Sequence, residues 1–222
     1  MGYSIAIDGP GGAGKSTIAK AVAKSLGFIY VDTGAMYRAM GLYMMREGVD
    51  GEDTETLTAR CKEADITLRY VDGVQQVLLN GENVTGLIRT EEIGKMASTV
   101  SKNKNIRLQL VVLQRELAER ENVVMDGREI GTFVLPHATC KIFLTASVEV
   151  RAKRRYKELL AKGVECDLEE IKADLAARDH QDMTREFAPL RQAEDAVLLD
   201  SSNLTLEEVE AEVLRIFKEK CE

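Results

Sequence analysis

No run of about 18 apolar residues occurs in this 222-residue chain, and no basic stretch followed by an apolar one opens it. Neither a membrane span nor a secretory leader is therefore expected. The only histidines are His137 and His180. Two are too few for a histidine-rich metal cluster, and neither has an obvious nucleophile partner, which argues against a triad enzyme. Cys61, Cys140, Cys166 and Cys221 form no C-x-x-C pair. Reduced, buried thiols of a cytoplasmic protein are expected rather than a disulfide framework or a zinc site. Positive charge is short as well. A formal net charge of −7 disfavours a general nucleic-acid coat. Internal repeats and low-complexity linkers are missing, and the length suits one α/β domain with appended subdomains.

The chain does contain the stretch Tyr3 to Thr17, YSIAIDGPGGAGKST. Tyr3 to Ile7 reads as a short buried strand ending at Asp8. Gly9, Gly14, Lys15 and Ser16 match G-x-x-x-x-G-K-[ST] between a strand and a helix. Glycines at 9, 11, 12 and 14 let backbone N–H groups turn inward around phosphate oxygens, and the following helix N-terminus adds partial positive charge. The loop Gly9, Pro10, Gly11, Gly12, Ala13, Gly14, Lys15, Ser16 and Thr17 is thus the expected ATP cradle. Lys15 is placed to reach the β- and γ-phosphates, and the Ser16 hydroxyl to take a position on Mg²⁺. A glycine-rich turn of no function is the plainer alternative, and a full match in strand–turn–helix context disfavours it.

Helical spacing runs from Lys15 to Leu26, with Gly27 as a stop, and from Ala35 to Arg46, where Met36, Met40 and Met44 form a stripe expected to pack in the core. Residues 50–90 change character. A short amphipathic helix is followed by alternation through Ile66, Leu68 and Tyr70, a turn at Asp72-Gly73, and a second run at Val77 to Leu79. Val84 and Ile88 are expected in a third short strand or edge. Helical signals return over Thr90–Val100 and Lys104–Arg120, with buried strands at Phe28–Val31, Asn122–Asp126, Lys141–Leu144 and Ala196–Leu199. Five short apolar strands separated mostly by helices predict an α/β fold: a parallel sheet with helices on both faces and an inserted antiparallel patch. Ligands in such sheets sit at the carboxyl ends of strands, where Asp8, Asp32, Asp126 and Asp200 fall.

Asp126 is expected to support Mg²⁺, directly or through water, with a helix N-cap as the plainer reading. Val148 to Lys162 carries six basic and two acidic side chains, a local +4. Arg151, Arg154 and Arg155 share one helical face. A solvated basic face is the ordinary reading. Gly163 and the series Arg178, Arg185 and Arg191 favour a mobile lid that grips anions, as phosphoryl transfer requires. No base accompanies these groups. A phosphomonoester acceptor, with a second pKa of about 6, needs none, which points to a nucleotide monophosphate.

Several spaced segments resemble the bacterial cytidylate kinase family: Asp32 to Arg38 (DTGAMYR), Asn80-Gly81 through Ile88-Arg89-Thr90, Asp126 to Gly131 (DGREIG), and Arg178 to Arg185 (RDHQDMTR). Ala188-Pro189-Leu190 and Asp200-Ser201-Ser202 extend the likeness, which covers essentially the whole chain. The resemblance implies transfer of the γ-phosphate of ATP to CMP or dCMP with Mg²⁺, on a nucleoside-monophosphate-kinase core. It implies a core of about 1–34, 104–147 and 190–222, a monophosphate-binding insert of about 35–103, and a lid of about 148–189. Thr33, Arg38, Ser98, Arg107, Arg128, Glu129, Arg178, Asp182 and Arg185 would line the CMP site. Arg38, Arg128 and Arg185 suit its phosphate, Arg178 and Asp182 its sugar, and Ser98, Arg107 and Glu129 its base. Lys15, Asp126, Arg128, Arg151 and Arg155 would serve catalysis, and Ser16 and Asp126 the metal. The family usually has Asp where Glu129 stands. A cytoplasmic monomer without nucleic-acid or membrane partners is expected.

Other readings are a broader pyrimidine monophosphate kinase, another small-molecule kinase of the shikimate or adenylate type, and a regulatory GTPase. The last would need N-K-x-D, and Asn103-Lys104-Asn105-Ile106 has Ile where the Asp belongs. A pure nucleotide-binding module would form no ADP when CMP is supplied.

Overall fold

A computed structural model describes residues 2–221. Its elements alternate: β1 (Ser4–Asp8), α1 (Lys15–Leu26), β2 (Ile29–Asp32), α2 (Thr33–Arg46), α3 (Thr54–Arg60), β3 (Ile66–Val71), β4 (Val74–Leu79), β5 (Glu82–Asn83), α4 (Glu91–Val100), α5 (Lys104–Arg120), β6 (Val123–Gly127), β7 (Cys140–Thr145), α6 (Val148–Ala161), α7 (Leu168–Thr184), β8 (Val197–Asp200) and α8 (Leu206–Cys221). A five-stranded sheet runs in the order β2-β6-β1-β7-β8, and β3-β4-β5 form a second, antiparallel sheet. Within the larger sheet β1 lies parallel to β7, pairing Ile7 with Ile142, and β7 lies parallel to β8. The α/β class and the antiparallel insert are as the sequence predicts. The chain divides into two compact units, Ile29–Val123 and, separately, Tyr3–Phe28 together with the chain from Val124 onward.

The second unit carries the phosphate-type loop. Ile5, Ala6 and Ile7 of β1 have no solvent exposure, and α1 buries Ile18, Ala19 and Val22. Helix α1 starts after Gly14 at φ 92° and stops at Gly27, left-handed at φ 67°, whose N–H caps the carbonyls of Ala23 and Lys24. Ser147 caps α6, accepting from the Val150 N–H, and Asp167 caps α7, accepting from Glu169 and Glu170. Between β6 and β7 the chain makes a wide, π-type helical turn over Ile130–Val134.

The unit Ile29–Val123 has its own core. Met36, Met40 and Met44 are fully buried and pack with Tyr43, Leu57, Ile66, Val77 and Leu79, so the methionine stripe is core, as its spacing predicts. Asp72 and Gly73 both take positive φ (51° and 75°), the geometry of a tight hairpin turn between β3 and β4. One element differs from expectation. Val84 and Ile88 are not in a strand; the third strand is Glu82–Asn83, and these two side chains are buried in the turn that follows. Their apolar spacing reports burial without pairing. The hairpin is tied to β2: Gln75 Oε1 accepts from the Asp32 N–H at 2.9 Å, and the Tyr70 hydroxyl donates to the Tyr30 carbonyl at 3.1 Å.

All four cysteines are free. Cys61 and Cys140 are buried as expected, and burial pushes the Cys140 thiol up to about 12. Cys166, in the α6–α7 connection, is half-buried, and Cys221, at the end of α8, is exposed. The expectation of buried thiols thus fails for Cys166 and Cys221.

Candidate active site

The loop after β1 wraps as its glycines require. Gly9 has φ 147°, and a Cβ there would lie 1.9 Å from the Leu144 carbonyl oxygen of β7. Only glycine admits this approach. The Ser16 hydroxyl, in the first turn of α1, donates to Asp126 Oδ2 at 2.9 Å. Asp126 lies inside β6 rather than capping a helix, so the plainer reading of it does not apply. Lys15 is only 5% exposed and donates to the Pro10 carbonyl of its own loop at 2.8 Å. Burial pulls its pKa down to about 7, with Arg128 acting the same way against Asp126, Asp8 and Asp182.

A line of alternating charge extends from this loop. Arg128 Nε donates to Asp182 Oδ2 at 2.8 Å, and the other Asp182 oxygen lies 3.4 Å from Arg185 Nη1. Arg185 Nη2 then meets Glu129 Oε2 at 2.9 Å. Arg128 also borders the loop, because a Cβ on Gly11 would stand 3.7 Å from its Nη2. Burial alone would raise Asp182; Arg128, Arg185 and Arg178 outweigh it and hold the carboxyl below the usual range. The structure therefore brings together Lys15, Ser16, Asp126, Arg128, Glu129, Arg178, Asp182 and Arg185. Such a set presents three arginines and one buried ammonium, and it suits polyanions.

Helix α6 behaves differently from a solvated basic face. Arg151 is buried against Asp179 of α7 at 2.6 Å, Arg154 donates to the Ser201 carbonyl at 2.7 Å, and Arg155 pairs with Glu158 at 3.0 Å. All three arginines are thus engaged by the protein itself, Arg151 in a buried pair and Arg155 in a more exposed one on its own helix.

The unit Ile29–Val123 holds the remaining predicted residues. Asp32 caps α2 by accepting from the Ala35 N–H at 2.9 Å and pairs with Arg89 at 2.7 Å. Thr33 is buried in the first turn of α2, and Gly34 leaves room for Arg38, whose Nη1 would lie 3.5 Å from a Cβ there. Arg107 is 2% exposed, stacks over the Tyr37 ring at 5.1 Å and donates to the Ser101 carbonyl at 2.8 Å. The Ser101 hydroxyl donates in turn to the Ser98 carbonyl at 2.8 Å, so Ser98 and Arg107 belong to one chain of contacts.

A family model described as cytidylate kinase matches residues 5–219. The chain belongs to the cytidylate kinase family. It is 52% identical to the cytidylate kinase of Caldicellulosiruptor saccharolyticus over 96% of this chain and 95% of that one. It is 49% identical to that of Thermosipho melanesiensis, over 100% and 99%. The match to the Enterococcus faecalis cytidylate kinase is 47%, over 98% and 96%. Among solved structures, a gluconokinase from Sinorhizobium meliloti 1021 superposes with a TM-score of 0.52 at 16% identity, covering 98% of this chain and 92% of that one. The last likeness concerns fold alone.

Two acids of this family member have roles that the sequence did not disclose. Asp8 Oδ1 and Oδ2 accept from the Ile130 and Gly131 N–H groups at 2.8 and 2.7 Å, fastening the segment after β6 to the end of β1. Burial raises its pKa to about 7 against those two bonds. Its place at a strand end was the one signal. Asp179, inside RDHQD, gave none beyond its neighbours.

Proposed function

We propose that this kinase transfers the γ-phosphoryl group of ATP to the phosphate of CMP or dCMP, giving ADP and CDP or dCDP. The observation that carries the reading is the Glu129–Arg185–Asp182–Arg128 series beside a glycine loop with a buried lysine, within a chain of the cytidylate kinase family. The loop N–H groups and the α1 N-terminus hold the donor phosphates, and Lys15 exchanges the Pro10 carbonyl for phosphate oxygens. Arg128 and Arg185 bind the acceptor phosphate, and Asp182 keeps both guanidinium groups oriented. Arg178 and Asp182 serve the sugar, and Glu129 the base. Arg155, whose pair with Glu158 is exposed and local to α6, is the arginine that turns toward the transferring group. No base is required, since the acceptor oxygen already carries charge.

Ser16 and Asp126 fit Mg²⁺ by chemistry: a hydroxyl and one carboxylate 2.9 Å apart are hard oxygen donors, and Mg²⁺ is usually held by one or two carboxylates plus substrate phosphates. When bound, the ion supplies positive charge to the β- and γ-oxygens. No helix among the described residues is long and apolar enough to cross a membrane. The reading has the kinase act in the cytoplasm as a monomer on free nucleotides.

The test is ADP formation with each common ribo- and deoxyribonucleoside monophosphate. Turnover concentrated on CMP and dCMP is expected; equal turnover of UMP would replace the reading by a general pyrimidine monophosphate kinase.

A further inference from the structure

Arg151 sits in the first turn of α6 with its guanidinium spread over three segments. Nε donates to the Ala146 carbonyl at 2.9 Å, Nη1 to the Gly11 carbonyl at 2.9 Å, and Nη2 meets Asp179 Oδ2 at 2.6 Å. Gly11 belongs to the phosphate-type loop. Asp179 belongs to α7, three residues before Asp182, and so lies on the same helical face as the carboxylate that holds Arg128 and Arg185. Gly11, Ala146, Arg151, Asp179 and Asp182 are all in one compact unit.

The bond to Gly11 has a directional effect. In a trans peptide the C=O of one residue and the N–H of the next point in opposite directions within one plane. By holding the Gly11 oxygen, Arg151 therefore aims the Gly12 N–H the other way. Two adjacent glycines would otherwise let this plane rotate at little cost. Gly12, at φ 77°, also lies against the Arg151 side chain: a Cβ there would be 3.4 Å from Arg151 Cβ. Asp179 in turn fixes the fork of Arg151. Its second oxygen, Oδ1, is buried and has no hydrogen-bond partner. A buried, half-satisfied carboxylate is a poor way to stabilise a fold, and its one engaged oxygen serves to orient the arginine.

We propose that Asp179 and Arg151 form a strut that couples α7 to the phosphate-type loop, so that filling one substrate site strengthens binding at the other. Arg151 is on this account a positioning residue acting through the loop. The proposal rests on ATP and CMP being the two substrates.

Calorimetric titration of the full chain with CMP, alone and with the β,γ-imido analogue of ATP, measures the coupling. The unmodified chain binds CMP about tenfold more tightly when the analogue is present. Asp179→Asn, which keeps the shape of the side chain, lowers that factor to below about threefold while leaving the affinity for CMP alone within about twofold. Arg151→Lys also lowers the coupling factor to below about threefold, and the double variant loses no more of it than either single one, as parts of one device must. In steady state, kcat/KM for CMP falls with the coupling factor. Thermal unfolding identifies a variant that no longer folds, in which case the other single variant decides. An intact coupling factor in the folded single variant, losses that multiply in the double variant, or no coupling in the unmodified chain would overturn the strut. An unmodified chain that forms no CDP from ATP and CMP refutes the substrate assignment instead, and the coupling is then measured with the monophosphate that does turn over.

Discussion

The Glu129 carboxylate and the Arg185 guanidinium lie 2.9 Å apart, and their side chains are only 4% and 7% exposed. If Glu129 reads the base, as proposed, its carboxylate should accept from the exocyclic amine of cytosine and repel the carbonyl that uracil offers at the same position. Glu129→Gln removes the charge from the pair, and its amide can flip to donate. Discrimination between CMP and UMP in kcat/KM should narrow from as much as about 10⁴-fold to the roughly 10–200-fold that shape alone supplies. Glu129→Asp should preserve it. Steady-state kinetics with both nucleotides check the prediction.

Lys15→Ala should lower kcat on the order of 10²–10³-fold while weakening ATP binding far less, because the ammonium stabilises developing charge more than bound substrate. Single-turnover rates beside equilibrium binding separate the two effects.

The pH dependence follows from the same lysine. With its pKa pulled down to about 7, Lys15 is charged below that pH and neutral above it. In the free enzyme, kcat/KM for ATP should fall above about pH 7 by roughly tenfold per unit. Bound triphosphate restores the charge, so the corresponding limb in kcat should lie at higher pH. Parallel pH profiles of the two constants test this.

Much of the fold was legible in the sequence because the signals were local. The limits of α1 and α5 fall where periodicity and, for α1, Gly27 place them; the structure adds that Asn103 caps α5, accepting from the N–H groups of Asn105 and Ile106. The third strand of the insert was not legible, since Val84 and Ile88 owe their burial to neighbours distant in sequence. The same holds at the site. Ser16 and Asp126 were readable from a motif and a strand end. Asp8 on Ile130 and Gly131, or Arg151 on Gly11, join residues more than a hundred positions apart and leave no local pattern.

Removal of divalent cations by chelation should abolish ADP formation. Asp126→Asn should raise the Mg²⁺ concentration for half-maximal rate by roughly tenfold or more while leaving the fold intact, as a magnesium titration with circular dichroism would show.

Gly9→Ala should be the costliest single methyl in the chain. Its Cβ would meet backbone, not a movable side chain, at 1.9 Å, and its φ of 147° disfavours any other residue. A loss of roughly 3 kcal/mol or more is expected in denaturant titrations.

The contacts of Gln75 and Tyr70 with β2 bear on how the protein behaves in a crowded solution. Strand β2 ends the sheet, and the outer rim of a sheet invites strands from other chains. The hairpin occupies that rim with a carboxamide that accepts from the Asp32 N–H and donates to the Asp32 carbonyl, and with a phenol on Tyr30. The insert is thus a guard against self-association as well as a scaffold. A chain trimmed of residues 66–79 would fail first by precipitating, before any question of turnover arose.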